Sequence, residues 1–178
     1  MGTLEFVPAI SQPGLLAAPV AAALADPSWS RPADDVCVAA IDPDLADTAA
    51  FCKRYGVLPT ESANCVVISG RREGEVRFAA CVVLATTRAD VNGVARRALD
   101  VRKASFAATD VAVAETGMEY GGITPIGLPA GWPVLVDAAV AASAQVVIGS
   151  GVRRSKLALA GKTLADLPGA QVIDGLAR

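Results

Sequence analysis

Apolar positions in this chain alternate between short runs of strand length and stretches of helical period. The segments 36–41, 65–69, 76–84, 104–107, 133–136, 145–148 and 157–159 read as strands, each bounded by turn residues or charges. Val172 and Ile173 read as a closing edge strand. Helical stretches fall between them. The Ala-rich segment 15–25 favours helix, with Pro19 tolerated only in its first turn or as a break, and the run Asp26, Pro27, Ser28, Trp29, Ser30, Arg31, Pro32 ends it.

Asp42 offers a cap to a helix with Pro43 at its first position; Leu45, Ala49, Cys52 and Tyr55 then share one face, and Gly56 closes it. Further helices are predicted over 90–99, over 109–115 with a cap, over 137–143 with Asp137 as cap, and as a last turn over 164–167. The loop 70–74 holds two glycines and suits a hairpin, so the strands on either side of it should be antiparallel neighbours. Residues 1–13 mix Pro, Gly, Ser and Gln and read as a loosely attached leader. No fixed-period repeat or linker divides the chain, so residues 1–178 read as one domain.

Composition narrows the picture. Apolar residues make up 53% of the chain and aromatics only 4%, so the core is built from Ala, Val, Leu and Ile, of which the branched types favour strands. A chain of 178 residues is long enough to bury roughly 70% of its unfolded surface. Charges interrupt every apolar run before the roughly 18 residues that a membrane helix needs, and Met1 to Ser11 lacks the basic start of a secretory signal. A cytoplasmic location and no membrane partner are expected.

Four cysteines, Cys37, Cys52, Cys65 and Cys81, lie too far apart for a zinc site and imply no disulfide framework. The absence of histidine excludes Ser-His-Asp, Cys-His and histidine-metal chemistry, and no cofactor is expected. A net charge of −2 argues against coating nucleic acid by bulk attraction, and no DNA partner is expected, though a local basic patch is compatible with it.

The segment 116–129 holds four glycines and two prolines in fourteen residues. Glycines let a backbone approach a ligand closely and prolines fix the flanking dihedrals, so exposed amides stay aimed at a carbonyl or phosphate oxygen. An ordinary surface loop between a helix and a strand has the same letters. Gly149, Ser150 and Gly151 present either amides and a hydroxyl to a ligand or a plain strand-ending turn. Two short matches fail: Gly161, Lys162 and Thr163 lack the earlier glycine of a phosphate-binding loop, and 149–154 lacks the final glycine of a dinucleotide fingerprint.

The order of these elements resembles the YbaK/ProX family of aminoacyl-tRNA deacylases over roughly residues 45–170. The loop 115–127 looks like that family's signature, with Gly-x-x-x-Pro at Gly121 to Pro125; 133–137 and 147–151 resemble its strand-Asp and second glycine turn, and 63–68 falls where its first core strand begins. The resemblance implies an α+β fold, a curved mixed β-sheet forming a partial barrel wrapped by helices. It implies a free-standing trans-editing enzyme that hydrolyses the ester joining a wrong amino acid to the 3′ end of a tRNA. The aminoacyl-tRNA acceptor end would be its partner.

Asn64 and Gly121 would then be the catalytic residues, with Gly122, Ile123, Thr124, Pro125, Gly149, Ser150 and Gly151 binding substrate, and Arg153, Arg154 and Lys156 gripping tRNA phosphates. Arg96, Arg97, Arg102 and Lys103 are a second basic group that either does the same or forms a solvated face. The family places a lysine at the start of its first core strand, where this chain has Asn64, a group that donates and accepts hydrogen bonds without charge. Another cation, Lys156, Arg153 or Arg154, would then support the reaction. Alternatively the chain is a catalytically weakened or inactive binding module for an aminoacyl-adenosine-like ligand, a tRNA end or a partner protein.

Overall fold

A computed structural model describes residues 1–27 and 35–178. Part of the turn expected after the first helix, from Ser28 to Pro32, lies outside the described residues. The chain begins with β1 (Val7–Pro8) and α1 (Ala18–Ala25), and continues through β2 (Cys37–Ala40), α2 (Thr48–Tyr55), β3 (Ala63–Arg72) and β4 (Glu75–Leu84). After α3 (Arg96–Ala98), β5 (Ala104–Phe106) and α4 (Thr109–Thr116) comes the long Gly-Pro loop. Then follow β6 (Val134–Asp137), α5 (Ala138–Ala141), β7 (Val146–Gly149), β8 (Ser155–Leu159), α6 (Gly161–Ala165) and β9 (Ala170–Ile173).

The expected curved mixed sheet is present in two parts. One is five-stranded in the order β5-β3-β4-β6-β9, antiparallel except where β6 runs parallel to β4 and β9 runs parallel to β6. The other is four-stranded and antiparallel, β1-β2-β8-β7. A parallel bridge between Ser62 and Val147 joins them just before β3, so the barrel is partial among the described residues.

Strand alternation decides which residues face which layer. Val82, Val134 and Val136 point into a central core that also holds Val146, Ile148, Leu157 and Leu159 of the other sheet, with Val20 and Leu24 of α1 across its end. Their neighbours Cys81, Val83 and Leu135 point outward, onto Val91, Ala95, Leu99 and Leu176. Val147 likewise turns away from the centre, to meet Phe51 and Cys52 of α2. Each fully buried Val or Leu contributes about 1.5–3 kcal/mol, which is how a core with few aromatic rings holds together.

Several local expectations are revised. The helix read from Asp42 is two elements: Asp42 caps only a 3-10 turn, Pro43–Leu45, and α2 starts after a second cap, Asp47, whose carboxylate accepts from the amides of Ala49 and Ala50 at 3.0 and 3.4 Å. Gly56 ends α2 in the left-handed conformation, φ 70°. Gly70 is not part of the hairpin turn but lies within β3, where a Cβ would meet Val101 Cγ2 at 2.5 Å and the Lys103 carbonyl at 2.6 Å. The turn itself is Glu73-Gly74, both at positive φ.

The segment 90–99 opens with a π-helical turn, Val91–Ala95, capped by Asp90, and only its last residues are α-helical. Helix α4 has no side-chain cap. Asp137 caps α5 as expected, and its second oxygen accepts from the Ala177 amide at 3.0 Å. Residues near the start are tied in: β1 pairs with β2, Ala9 is fully buried, and its amide donates to the Val36 carbonyl. No helix among the described residues is long and apolar enough to cross a membrane.

Candidate functional site

A cleft of about 480 Å³ opens where the start of β3, the ends of β7 and β8, the first turn of α2 and the 120–123 turn converge. Ala63, Cys65, Val67, Ala107 and Ala112 give it small apolar walls, and Asp47, Thr48, Asn64, Gly121, Gly149 and Lys156 bring the polar groups.

Lys156 is the second residue of β8, flanked by Ala39 of β2 on one side and Gly149 of β7 on the other, and is only 7% exposed. Its ammonium donates to the Ala46 carbonyl at 3.0 Å and lies 5.3 Å from the centre of the Phe51 ring. The Asp47 cap makes this possible, because it stops the chain from continuing as one helix and leaves the Ala46 carbonyl outside α2. Among the described residues no carboxylate comes within salt-bridge distance of this ammonium. Burial lowers its pKa to about 8; Cys52 opposes that shift, Arg153 adds to it, and Asp47 opposes it. A buried cation that spends one of its three N–H donors on a carbonyl and lines a cleft is suited to an oxygen that gains negative charge.

Asn64 lies on β3 at the same cleft. Its Oδ1 accepts from the Thr48 hydroxyl at 2.7 Å, which fixes the side chain and leaves its NH2 as a donor with no partner among the described residues.

The two glycine turns are stitched back to back. The Gly151 amide donates to the Gly122 carbonyl at 2.7 Å, the Glu119 amide donates to the Gly151 carbonyl at 2.8 Å, and the Gly122 amide donates to the Glu119 carbonyl at 2.9 Å. Gly121 needs its positive φ of 83°, and Gly149 has no room for a side chain, since a Cβ would meet the carbonyls of Gly122 at 2.3 Å and Ile123 at 2.7 Å. The amides of Gly121 and Ile123, both lining the cleft, have no acceptor among the described residues.

Of the residues singled out in the sequence, Asn64, Gly121, Ile123, Gly149 and Lys156 line this cleft. Gly122, directly behind, holds the two turns together. Pro125 faces a different hollow, of about 560 Å³, beside Leu128 and Trp132. Thr124 is wholly enclosed, with a hydroxyl that has no partner among the described residues. Ser150 does not offer its hydroxyl to the cleft: it is buried and bonded to the carbonyls of Val152 and Ser155 and to the Ser155 hydroxyl. Gly151 is buried against Ala17.

Lys156 was expected on a phosphate-gripping surface and lies in the cleft instead. Arg153 is spent on the Pro43 and Tyr120 carbonyls at 2.9 and 3.3 Å, and Arg154 on the Gly14 carbonyl at 2.7 Å. Sequence reasoning missed Asp47, Thr48, Phe106 and Tyr120 as cleft residues. A cap signal at Asp47, followed by Thr48 and two alanines, was present in the letters but was outweighed by Asp42-Pro43.

Residues 42–167 match the family model described as the aminoacyl-tRNA editing domain. The chain belongs to that family. No curated protein matches the sequence of this chain. Among solved structures it is similar to a candidate trans-editing enzyme for prolyl tRNA synthetase, at 22% identity and TM-score 0.72, over 89% of this chain and 94% of that one. It is similar, at 23% identity and TM-score 0.73, to a scaffold protein from computational epitope grafting, over 89% of this chain and 95% of that one. At these identities the likeness shows the fold. Membership of the family supports deacylation of an aminoacyl-tRNA as the kind of function this editing domain has.

The thiols do not compete for the chemistry. Burial raises Cys65, with Cys81 adding to it, pushes Cys81 up to about 12, and raises Cys52. A protonated thiol is a poor nucleophile.

Proposed function

We propose that the chain is a free-standing, cytoplasmic trans-editing deacylase that hydrolyses the ester of a mischarged aminoacyl-tRNA, with Lys156 supplying the positive charge that Asn64 lacks. The observation that carries this reading is Lys156, buried without a carboxylate partner among the described residues, lining a cleft together with Gly121 and Ile123, whose amides have no acceptor among the described residues. The candidate trans-editing enzyme that shares the fold over most of both chains supports it.

In this mechanism the 3′-terminal adenosine and its aminoacyl group enter the cleft. Water adds to the ester carbonyl carbon, and the carbonyl oxygen becomes an oxyanion facing Lys156 and the two free amides. Collapse of the tetrahedral intermediate breaks the bond to the ribose oxygen, which takes the proton given up by the attacking water, and releases the free amino acid and the tRNA. Asn64, steadied by Thr48, hydrogen-bonds the ribose hydroxyl through its NH2. An aminoacyl ester is already activated, so orientation and oxyanion stabilisation suffice without a histidine base. The small side chains of Ala63, Ala107 and Ala112 leave room for the aminoacyl group.

Purified protein offered a panel of mischarged tRNAs tests the proposal. Ester loss above the spontaneous rate, reduced by Gly121→Val, is the expected result. Binding of the same tRNAs without turnover would favour the binding module, as the Asn64 departure from the family allows. An Asn64→Lys variant that gains activity by orders of magnitude would show that Lys156 does not fill the role.

A further inference from the structure

The cleft has an aromatic lip that opens onto a second, shallower groove. Phe106 at the end of β5 is 60% exposed and lines both the cleft and an open groove of about 1090 Å³ between β3, β5 and α4. Tyr120, 65% exposed, lines the same cleft. Exposed aromatic side chains at the entrance of a polar cleft offer no packing benefit to the fold, but they do offer flat faces for stacking.

The groove's charge is uneven in a way the chain's overall −2 conceals. Arg71 and Lys103 lie along it and Arg102 beside Arg71; all three are exposed, and none has an ion pair or hydrogen bond among the described residues. By contrast Arg72 and Arg77, on the same hairpin, are both paired with Asp100. Two carboxylates accompany these cations: Glu115 of α4 on the groove, and Glu73, which shares a hollow with Arg71 and Arg102 and lies 3.6 Å from Arg72. Arg153 and Arg154, the cations closest in sequence to the cleft lysine, are held by backbone carbonyls. Unpaired positive charge thus lies on the Phe106 side in Arg71, Arg102 and Lys103, and on the opposite flank in Lys53, which shares a hollow with Asp47, Thr48 and Asn64.

We propose that this groove is the path of a single-stranded RNA 3′ end, whose bases stack on Phe106 and Tyr120 and whose phosphates meet Arg71, Arg102 and Lys103 as the terminal nucleotide enters the cleft. This deepens the deacylase reading and rests on it for the identity of the terminal nucleotide. Base stacking on an aromatic ring is tolerant of sequence, and cations along a groove follow a backbone. Together they suit an end that is common to many RNAs.

The test is direct binding, which needs no ester hydrolysis. Fluorescence anisotropy would compare an RNA hairpin carrying a four-nucleotide unpaired 3′ tail with the same hairpin ending blunt. We expect the tailed hairpin to bind more tightly. Arg71→Ala with Lys103→Ala should weaken it and lower the slope of log affinity against log salt by about 1.4, from about 0.7 for each single-strand phosphate contact. Phe106→Ala should weaken it about tenfold with the slope unchanged. Lys162→Ala, which removes a charge elsewhere on the surface, should leave binding as it was.

Equal binding of tailed and blunt hairpins would overturn the proposal. So would wild-type affinity in the Arg71/Lys103 double variant or in Phe106→Ala, or a loss seen instead with Arg154→Ala. The substituted side chains are exposed, and matching melting temperatures would confirm that the variants fold. Tail binding through this groove without hydrolysis of any ester would support the groove and defeat the deacylase reading. Hydrolysis and binding both unaffected by the groove variants would do the reverse.

Discussion

Replacing Lys156 by methionine should make the protein slightly more stable at neutral pH while removing most of its activity. The exchange keeps the length of the stem over the Phe51 ring and deletes the charge. Burial moves this ammonium from an ordinary 10.5 to about 8, which corresponds to roughly 3 kcal/mol held against the charged form. Methionine removes that cost, but leaves the Ala46 carbonyl without its donor, a loss of about 1–3 kcal/mol. The balance at pH 7 is about 1 kcal/mol in favour of methionine.

Its pH dependence fixes the sign. Between about 8 and 10.5 the unfolded chain still holds the lysine proton while the folded chain has released it, so wild-type stability rises with pH across that window. Above pH 10 the buried lysine is neutral and still hydrogen-bonded, and the balance swings to about 2 kcal/mol in favour of the wild type. Urea unfolding of both proteins from pH 6.5 to 10.5 would show the two stability curves crossing near pH 9. Deacylation at pH 7, measured as kcat/KM after subtraction of spontaneous hydrolysis, should fall about a hundredfold in the variant. The wild type's own fall in rate above pH 8 should vanish with it. A stability difference that is flat with pH, or a variant that deacylates at the wild-type rate, would refute the assignment of a charged lysine at the oxyanion.

Other outcomes follow from single contacts. Thr124→Val, which deletes a buried hydroxyl with no partner among the described residues, should raise the unfolding free energy by about 1 kcal/mol in urea titration. Gly149→Ala drives a methyl group against the Gly122 and Ile123 carbonyls; it should cost about 1–3 kcal/mol and depress kcat, whereas Gly74→Ala, with open space around it at φ 89°, should cost about 1 kcal/mol and leave kcat alone. Iodoacetamide at pH 8 should leave Cys65 and Cys81 unmodified in the folded protein and label both in urea, read by peptide mass, because burial keeps both thiols protonated.

The strands were the legible part of this fold, since runs such as 76–84 lie between turn residues that no helix would keep. So was the paired-glycine loop, whose residues need positive φ or close backbone approach wherever they occur. Gly70 was misread because what demands a glycine there is Val101 and Lys103, brought in by tertiary folding rather than by neighbours in sequence. The helix after Asp42 was overextended because two aspartates compete as caps and only packing decides between them.

Lys156 was the hardest residue to place. Every residue of β8 is buried, so the strand carries no inside-outside alternation from which the lysine's direction could be read. Beside it, Arg153 and Arg154 offered the same charge and were no less plausible until their carbonyl partners were known.

The stitched glycine turns have an evolutionary corollary. Their donors belong to the main chain, which among substitutions only proline deletes, whereas the walls of the cleft are alanines, valines and a cysteine on β3 and around α4. Substitutions in those walls can therefore resize the cleft one methyl group at a time while the main-chain donors stay in place.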